Sequence, residues 1–312
     1  MSELKRIATR QSYGEALAEI GETDERIVVL DADLAASTKT AIFGKKFPDR
    51  FIDCGIAEAN MISMAAGLAT CGKIPFCSSF AMFATGRAYE QIRNSVAYSH
   101  LNVRIAASHA GISVGEDGAT HQCIEDIALM RNIPGMTVLC PADDLETKEC
   151  IKACMEIKGP CYIRLGRLAV PAYNTPDNYE FNLFEAPILR DGSDVTLFAT
   201  GLEVIEALQA ADMLAEDGIS AQVVNVHTIK PLDEETVVAC AKKTGAVVTI
   251  EEHTIIGGLG SAVAETLSEQ HPTRQLRIGI KDRFGESGPA LKLLEKFELD
   301  AKGIYKQVKD FL

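Results

Sequence analysis

Apolar runs of strand length alternate with stretches of helical spacing along most of this chain, and that alternation limits the fold more than any other feature. "RQSYGEALAEIGETD" has helical spacing and stops near Gly21; "RIVVLDAD" then reads as a buried strand that ends in acidic residues. A tightly packed helix, "SMAAGLATCG", precedes the strand "KIPFCSSF", a helix through "RAYEQIRNSVAYS" and the strand "NVRIAAS". After a glycine loop come the helix "QCIEDIALMRNI", the strand "MTVLCPAD", the helix "LETKECIKACMEI" and the strand "PCYIRL". Short connections between such elements predict an α/β fold with a mainly parallel sheet covered by helices on both faces.

The pattern lapses in "AVPAYNTPDNYEFNLFEAPILR", which has three prolines and polar spacers, and this predicts a linker over 171–187. It resumes with "DVTLFATG", the helix "LEVIEALQAADMLAEDG", one strand through "SAQVVNVHTIKPLD", the helix "EETVVACAKKTG" and the strand "AVVTIEEHT". Two consecutive αβα domains are therefore expected, 1–170 and 188–312. The glycines of "IIGGLGS" lie late in the second domain, and neither a dinucleotide fingerprint nor GxxxxGK[ST] occurs.

A formal net charge of -13, from 44 acidic and 31 basic residues, argues against binding to a nucleic-acid backbone or an anionic membrane. The nine cysteines include no CxxC, so buried thiols in a reducing cytosol are expected rather than disulfides or zinc. "MSELKRIATRQSYGEAL" lacks an apolar signal core and no run reaches transmembrane length, which points to the cytoplasm.

Open parallel sheets bind ligands beyond the carboxyl ends of their strands. His109 leaves such a strand, and Asp117 and His121 flank the glycine turn that follows. They read either as surface and capping groups or as a polar cleft whose imidazoles handle hydroxyls, phosphate or protons. Glu58, a lone carboxylate in "CGIAEANMISMAAGLA", is either a helix-terminal acid or a half-buried proton donor to a heterocycle. Phe80 and Phe83 are core residues or a stacking platform for a flat ring. Arg164 and Arg167 are surface charges or phosphate clamps. Asp31 and Asp33 lack the context of a magnesium site, and Glu251, Glu252 and His253 read as interface or loop anchors.

"GISVGEDGATHQ" with His109 before it, together with "IDCGIAEANMISMAAGLA", closely resembles the thiamine diphosphate-dependent transketolases. The resemblance runs on through "PADDLET", "HTIKPLD" and "EEHTIIGGLGS". It implies a pyrimidine-binding domain followed by the family's C-terminal domain. Full-length members carry an earlier domain that holds the diphosphate through Mg2+ with a GDG…N motif, and that motif does not occur here.

What the resemblance implies is the C-terminal subunit of a split transketolase, active only with an N-terminal subunit that supplies the metal and diphosphate ligands. A homodimer of this chain within an α2β2 assembly is expected, with sugar phosphates as substrates. Glu58 would hydrogen-bond the aminopyrimidine and promote activation of the cofactor, and Phe80 or Phe83 would stack on that ring. His109 and His121 would hold sugar hydroxyls or help proton transfer, and Asp117 would recognise the hydroxyl next to the carbonyl. Arg164 and Ser37 would take the substrate's phosphate. Ala110 and Ala119 depart from the family's acid and proline. The competing readings are the beta subunit of a 2-oxo acid dehydrogenase component, a deoxyxylulose-phosphate synthase portion and a noncatalytic assembly subunit.

Overall fold

The computed structural model of the protein describes residues 4–312. Its first half contributes strands β1 (Arg6–Ala8), β2 (Ile27–Asp31), β3 (Phe51–Asp53), β4 (Ile74–Ser78), β5 (Arg104–Ala107), β6 (Thr137–Leu139), β7 (Cys161–Arg164) and β8 (Ala169–Pro171). The second half adds β9 (Ile188–Arg190), β10 (Val195–Ala199), β11 (Ala221–Asn225), β12 (Thr228–Lys230), β13 (Ala246–Thr254) and β14 (Arg274–Ile280). A seven-stranded sheet has the order β12-β6-β7-β5-β4-β2-β3, and a five-stranded sheet the order β14-β13-β10-β11-β9. Both are parallel apart from one antiparallel edge strand each, β12 and β9. The fold is thus α/β with mostly parallel sheets flanked by helices.

Strand β2 shows why these sequences form covered strands. Successive side chains point to opposite faces, so Ile27 and Val29 pack with Tyr13 and Leu17 of the helix Thr9–Ile20. Val28 and Leu30 pack with Met61 and Ile62 of the helix Glu58–Thr70. Both faces need apolar residues, and the strand reads as a continuous apolar run.

Two elements differ from the sequence expectation. The run "SAQVVNVHTIKPLD" is two strands in two sheets: β11 stays in the second sheet, while β12 crosses to pair antiparallel with β6 of the first. Thr228 and Lys230 are placed opposite Leu139 and Val138. The break at Val226 and His227 is a tertiary event, since an uninterrupted apolar run carries no mark of the sheet it will join. The segment expected as the helix "RAYEQIRNSVAYS" also departs from regular spacing, with π-helical turns at Phe83–Arg87 and Ile92–Ala97. Such wide turns gather at functional sites, and here the first one runs past Glu58.

Candidate active site

Parallel strands β2, β4, β5 and β7 end on one edge of the first sheet, and the segments leaving them carry most of the chemical side chains. Glu58 reaches the same region as the first residue of its helix. It is 4% exposed, and its Oε1 accepts a hydrogen bond from the Ser79 hydroxyl at 3.4 Å. Its exposed side meets Arg87, whose Nη1 lies 3.3 Å from Oε1.

Beyond the last regular pair of β4 and β5, Phe80 bridges to Ser108. This continuation of the ladder sets the Phe80 ring against the imidazole of His109, with centroids 3.7 Å apart and 25° between planes. Phe83 stacks near Phe80 at 5.9 Å and meets the edge of His121 at 5.2 Å. Two phenylalanines and two imidazoles therefore form one aromatic cluster. Phe80 is buried, whereas Phe83 and His121 remain partly open.

His109 has a left-handed backbone, φ 58°, a conformation that non-glycine residues adopt at a cost of about 1–2 kcal/mol. Its Nδ1 is 2.9 Å from the Ser108 hydroxyl, and the Arg10 guanidinium lies 3.3 Å from Nε2. Burial, reinforced by the cations Arg10 and Arg167, pushes its pKa down to about 3, so the ring is neutral at pH 7. Arg10 also donates to the backbone carbonyl of Ser37 at 2.8 Å, which draws the segment after β2 to this cluster. Arg10 escaped the sequence reading because it stands in an ordinary amphipathic helix, and nothing local distinguishes it from a surface cation.

Arg164, expected as a phosphate ligand, has two of its guanidinium nitrogens engaged within the protein. It is the last residue of β7 and is buried, donating from Nε to Asp126 at 2.8 Å and from Nη2 to the backbone carbonyl of Glu252 at 2.9 Å. Tyr162 donates to the same Asp126 oxygen at 2.6 Å. A guanidinium bonded to a buried carboxylate and to a carbonyl of the second sheet joins the two halves, and only 6% of its side chain is open to solvent. Arg167, just past the strand, is partly exposed and reaches the glycine loop, donating to the Val114 carbonyl at 2.6 Å and to Glu116 at 2.9 Å. Of the two arginines read from "CYIRLGR", Arg167 is the more exposed.

Asp117 stands exposed on the loop, and among the described residues no hydrogen bond joins it to either histidine. Two of the loop's glycines are pressed against the second half of the chain. A Cβ at Gly111, φ 78°, would collide with the carboxyl of Glu252, and one at Gly118, φ 74°, with the hydroxyl of Ser287. Glu252 accepts from the backbone N–H of Ser113, and Gln122 donates across to the carbonyl of Glu286 at 2.8 Å. Glu251 accepts from the backbone of Leu259 and Gly260, where the helix Leu259–Gln270 begins. Glu252 and His253 thus meet the first half, through Ser113 and Ala128, while Glu251 caps a helix of its own half. Burial raises both carboxyls to about 7 and lowers His253 to about 4. Beneath them Glu203 is fully buried, with neither carboxyl oxygen hydrogen-bonded and its pKa pushed well up by burial. No group of three or more metal-ligating side chains occurs among the described residues.

Residues 5–172 match the transketolase pyrimidine-binding domain and residues 185–304 the transketolase C-terminal domain. The chain is 50% identical to the 6-deoxy-6-sulfo-D-fructose transketolase subunit SqwH of a Clostridium species, over 95% of this chain and 92% of that protein. It is 39% identical to an apulose-4-phosphate transketolase subunit of Phocaeicola vulgatus, over 98% of each. A solved structure described as a split gene transketolase, inactive beta4 tetramer, superposes with a TM-score of 0.91 at 53% identity, covering 98% of both chains. Matched by both domain models in sequence order and by relatives along nearly its whole length, the chain belongs to the transketolase family.

Proposed function

We propose that this chain is the C-terminal subunit of a split transketolase and, with an N-terminal subunit, transfers a two-carbon ketol unit from a ketose phosphate to an aldose phosphate. The observation that carries this reading is the convergence of Glu58, Phe83, His109 and His121 at one sheet edge: a buried carboxyl and an open aromatic ring stand beside two imidazoles. The names of the relatives support subunit status and differ in the sugar they specify.

The residues fit thiamine diphosphate at its pyrimidine end. Glu58 offers a buried carboxyl to a ring nitrogen, and Phe83 offers a face for stacking. The cofactor, when bound, supplies the electron sink for breaking and remaking the bond beside a ketose carbonyl. Its diphosphate and Mg2+ require anchoring that this reading assigns to the N-terminal subunit. Neutral His109 offers hydrogen bonds to sugar hydroxyls, and His121 faces the same space. Asp117 is positioned on the loop to select a hydroxyl. Arg167 and Arg10, with Ser37 beside them, supply the cationic end for the substrate's phosphate.

The reading includes a cytoplasmic α2β2 assembly around a homodimer of this chain, with domains at 1–170 and 188–312. Its test is ketol transfer from xylulose 5-phosphate to ribose 5-phosphate with thiamine diphosphate and Mg2+, for the chain alone and mixed with its N-terminal partner. Activity in the mixture only is expected. A folded mixture that transfers no ketol unit to any aldose phosphate overturns the proposal.

A further inference from the structure

Arg87 closes the π-helical turn Phe83–Arg87 and makes two contacts at once. Its Nη1 lies 3.3 and 3.4 Å from the two carboxyl oxygens of Glu58, and its guanidinium carbon stands 4.2 Å over the ring of Phe83. These are the two interactions that a flat, nitrogen-bearing heterocycle would make in the same slot: a hydrogen bond to the carboxyl and a stack on the aromatic face. A guanidinium imitates both because it is planar, carries N–H donors on its edge and is attracted to a π-face.

The two partners of the ion pair differ sharply in their surroundings. The side chain of Arg87 is 52% exposed and that of Glu58 is 4% exposed. Arg87 can therefore swing into water, whereas Glu58 is fixed between its helix and Ser79.

We propose that Arg87 is a gate on the pyrimidine site, holding Glu58 and covering Phe83 in the empty chain and leaving both when the aminopyrimidine of thiamine diphosphate binds. This rests on the cofactor reading above. The closed arrangement lowers the fraction of chains ready to bind, and the apparent affinity falls by that fraction.

Titration calorimetry of thiamine diphosphate with Mg2+ into the assembled complex tests the gate, comparing wild type with Arg87→Ala and Arg87→Lys. Arg87→Ala is expected to bind about fivefold more tightly, in keeping with one partly exposed ion pair and one cation–π contact. Arg87→Lys should fall between, because lysine keeps the charge but not the planar stack. In a Glu58→Gln background the gain from Arg87→Ala should shrink, since the ion pair is already gone. Unchanged or weaker binding by Arg87→Ala, with wild type binding normally, overturns the gate alone. Absence of binding by wild type and variants alike overturns the cofactor reading and the gate with it.

Discussion

Arg10 points a guanidinium nitrogen at Nε2 of His109 across 3.3 Å, while the Ser108 hydroxyl meets Nδ1 at 2.9 Å. A guanidinium can only donate, so Nε2 is an acceptor and the proton of the neutral ring sits on Nδ1. Burial and the nearby cations hold the ring in that state. His109 is therefore held as an oriented neutral imidazole, and a hydroxyl approaching Nε2 would compete with Arg10.

His109→Ala and His109→Asn should both reduce ketol transfer by about a hundredfold or more, the usual scale for a lost acid–base group. Asparagine tolerates the left-handed backbone better than alanine, so of the two variants the alanine one should be the less stable. Because the pKa of His109 is about 3, His109→Asn should leave any inflection of kcat/KM near neutral pH where it was. An inflection that disappears in this variant would contradict the neutral-ring assignment. Steady-state kinetics across pH and thermal melts separate these outcomes.

Glu58→Gln should leave the fold intact by circular dichroism, because the amide can keep the contact with Ser79. Turnover of the assembled complex should fall by about 10²–10⁴ if the carboxyl's proton is used. Retained turnover would remove Glu58 from the chemistry.

Arg164→Ala and Arg167→Ala should part company. Removing Arg164 leaves Asp126 buried without its cation and should cost about 3–5 kcal/mol, measured by denaturant unfolding. Removing Arg167 should cost little stability and raise KM for phosphorylated acceptors more than for unphosphorylated ones. The opposite pattern would restore Arg164 as the phosphate ligand.

The buried carboxyls predict a loss of stability as pH rises from 4.5 through about 7. Burial pushes Glu251, Glu252 and Glu146, the last buried in the helix Asp144–Ala153, up to about 7, and raises Glu203 well above the ordinary 4.5. Above 4.5 the unfolded chain has released these protons and the folded chain still holds them, so their contribution fades as pH rises through 7. His109, His227 and His253, with lowered folded values, act in the opposite sense, but only below their ordinary 6.5. From pH 6.5 upward Tm should decline, and Glu203→Gln should flatten the decline. An equal slope in wild type and variant would show that Glu203 does not titrate in this way.

Much of this architecture was legible before the structure because parallel strands covered on both faces need uninterrupted apolar runs, as β2 shows. The glycine loop was legible as a candidate site because His109 leaves a strand and His121 follows a turn. The burial of Arg164 was not legible for a definite reason. Two arginines three apart at a strand end look alike in sequence, and only the approach of β13 decides that one is buried beneath the second sheet. Arg87 was not singled out because its orientation depends on one wide helical turn, which no apolar periodicity records.

The crossing of β12 has a consequence for how this polypeptide can be divided. Cutting within 171–187 would separate β6 from the strand that covers its edge, since Thr228 and Lys230 lie on the far side of the cut. The first half would then expose a row of unpaired backbone groups, the kind of edge along which strangers zip together. Two separately made halves would have to find each other through that short strand or precipitate, so a cut inside the linker would carry a solubility penalty that the linker's loop-like composition conceals.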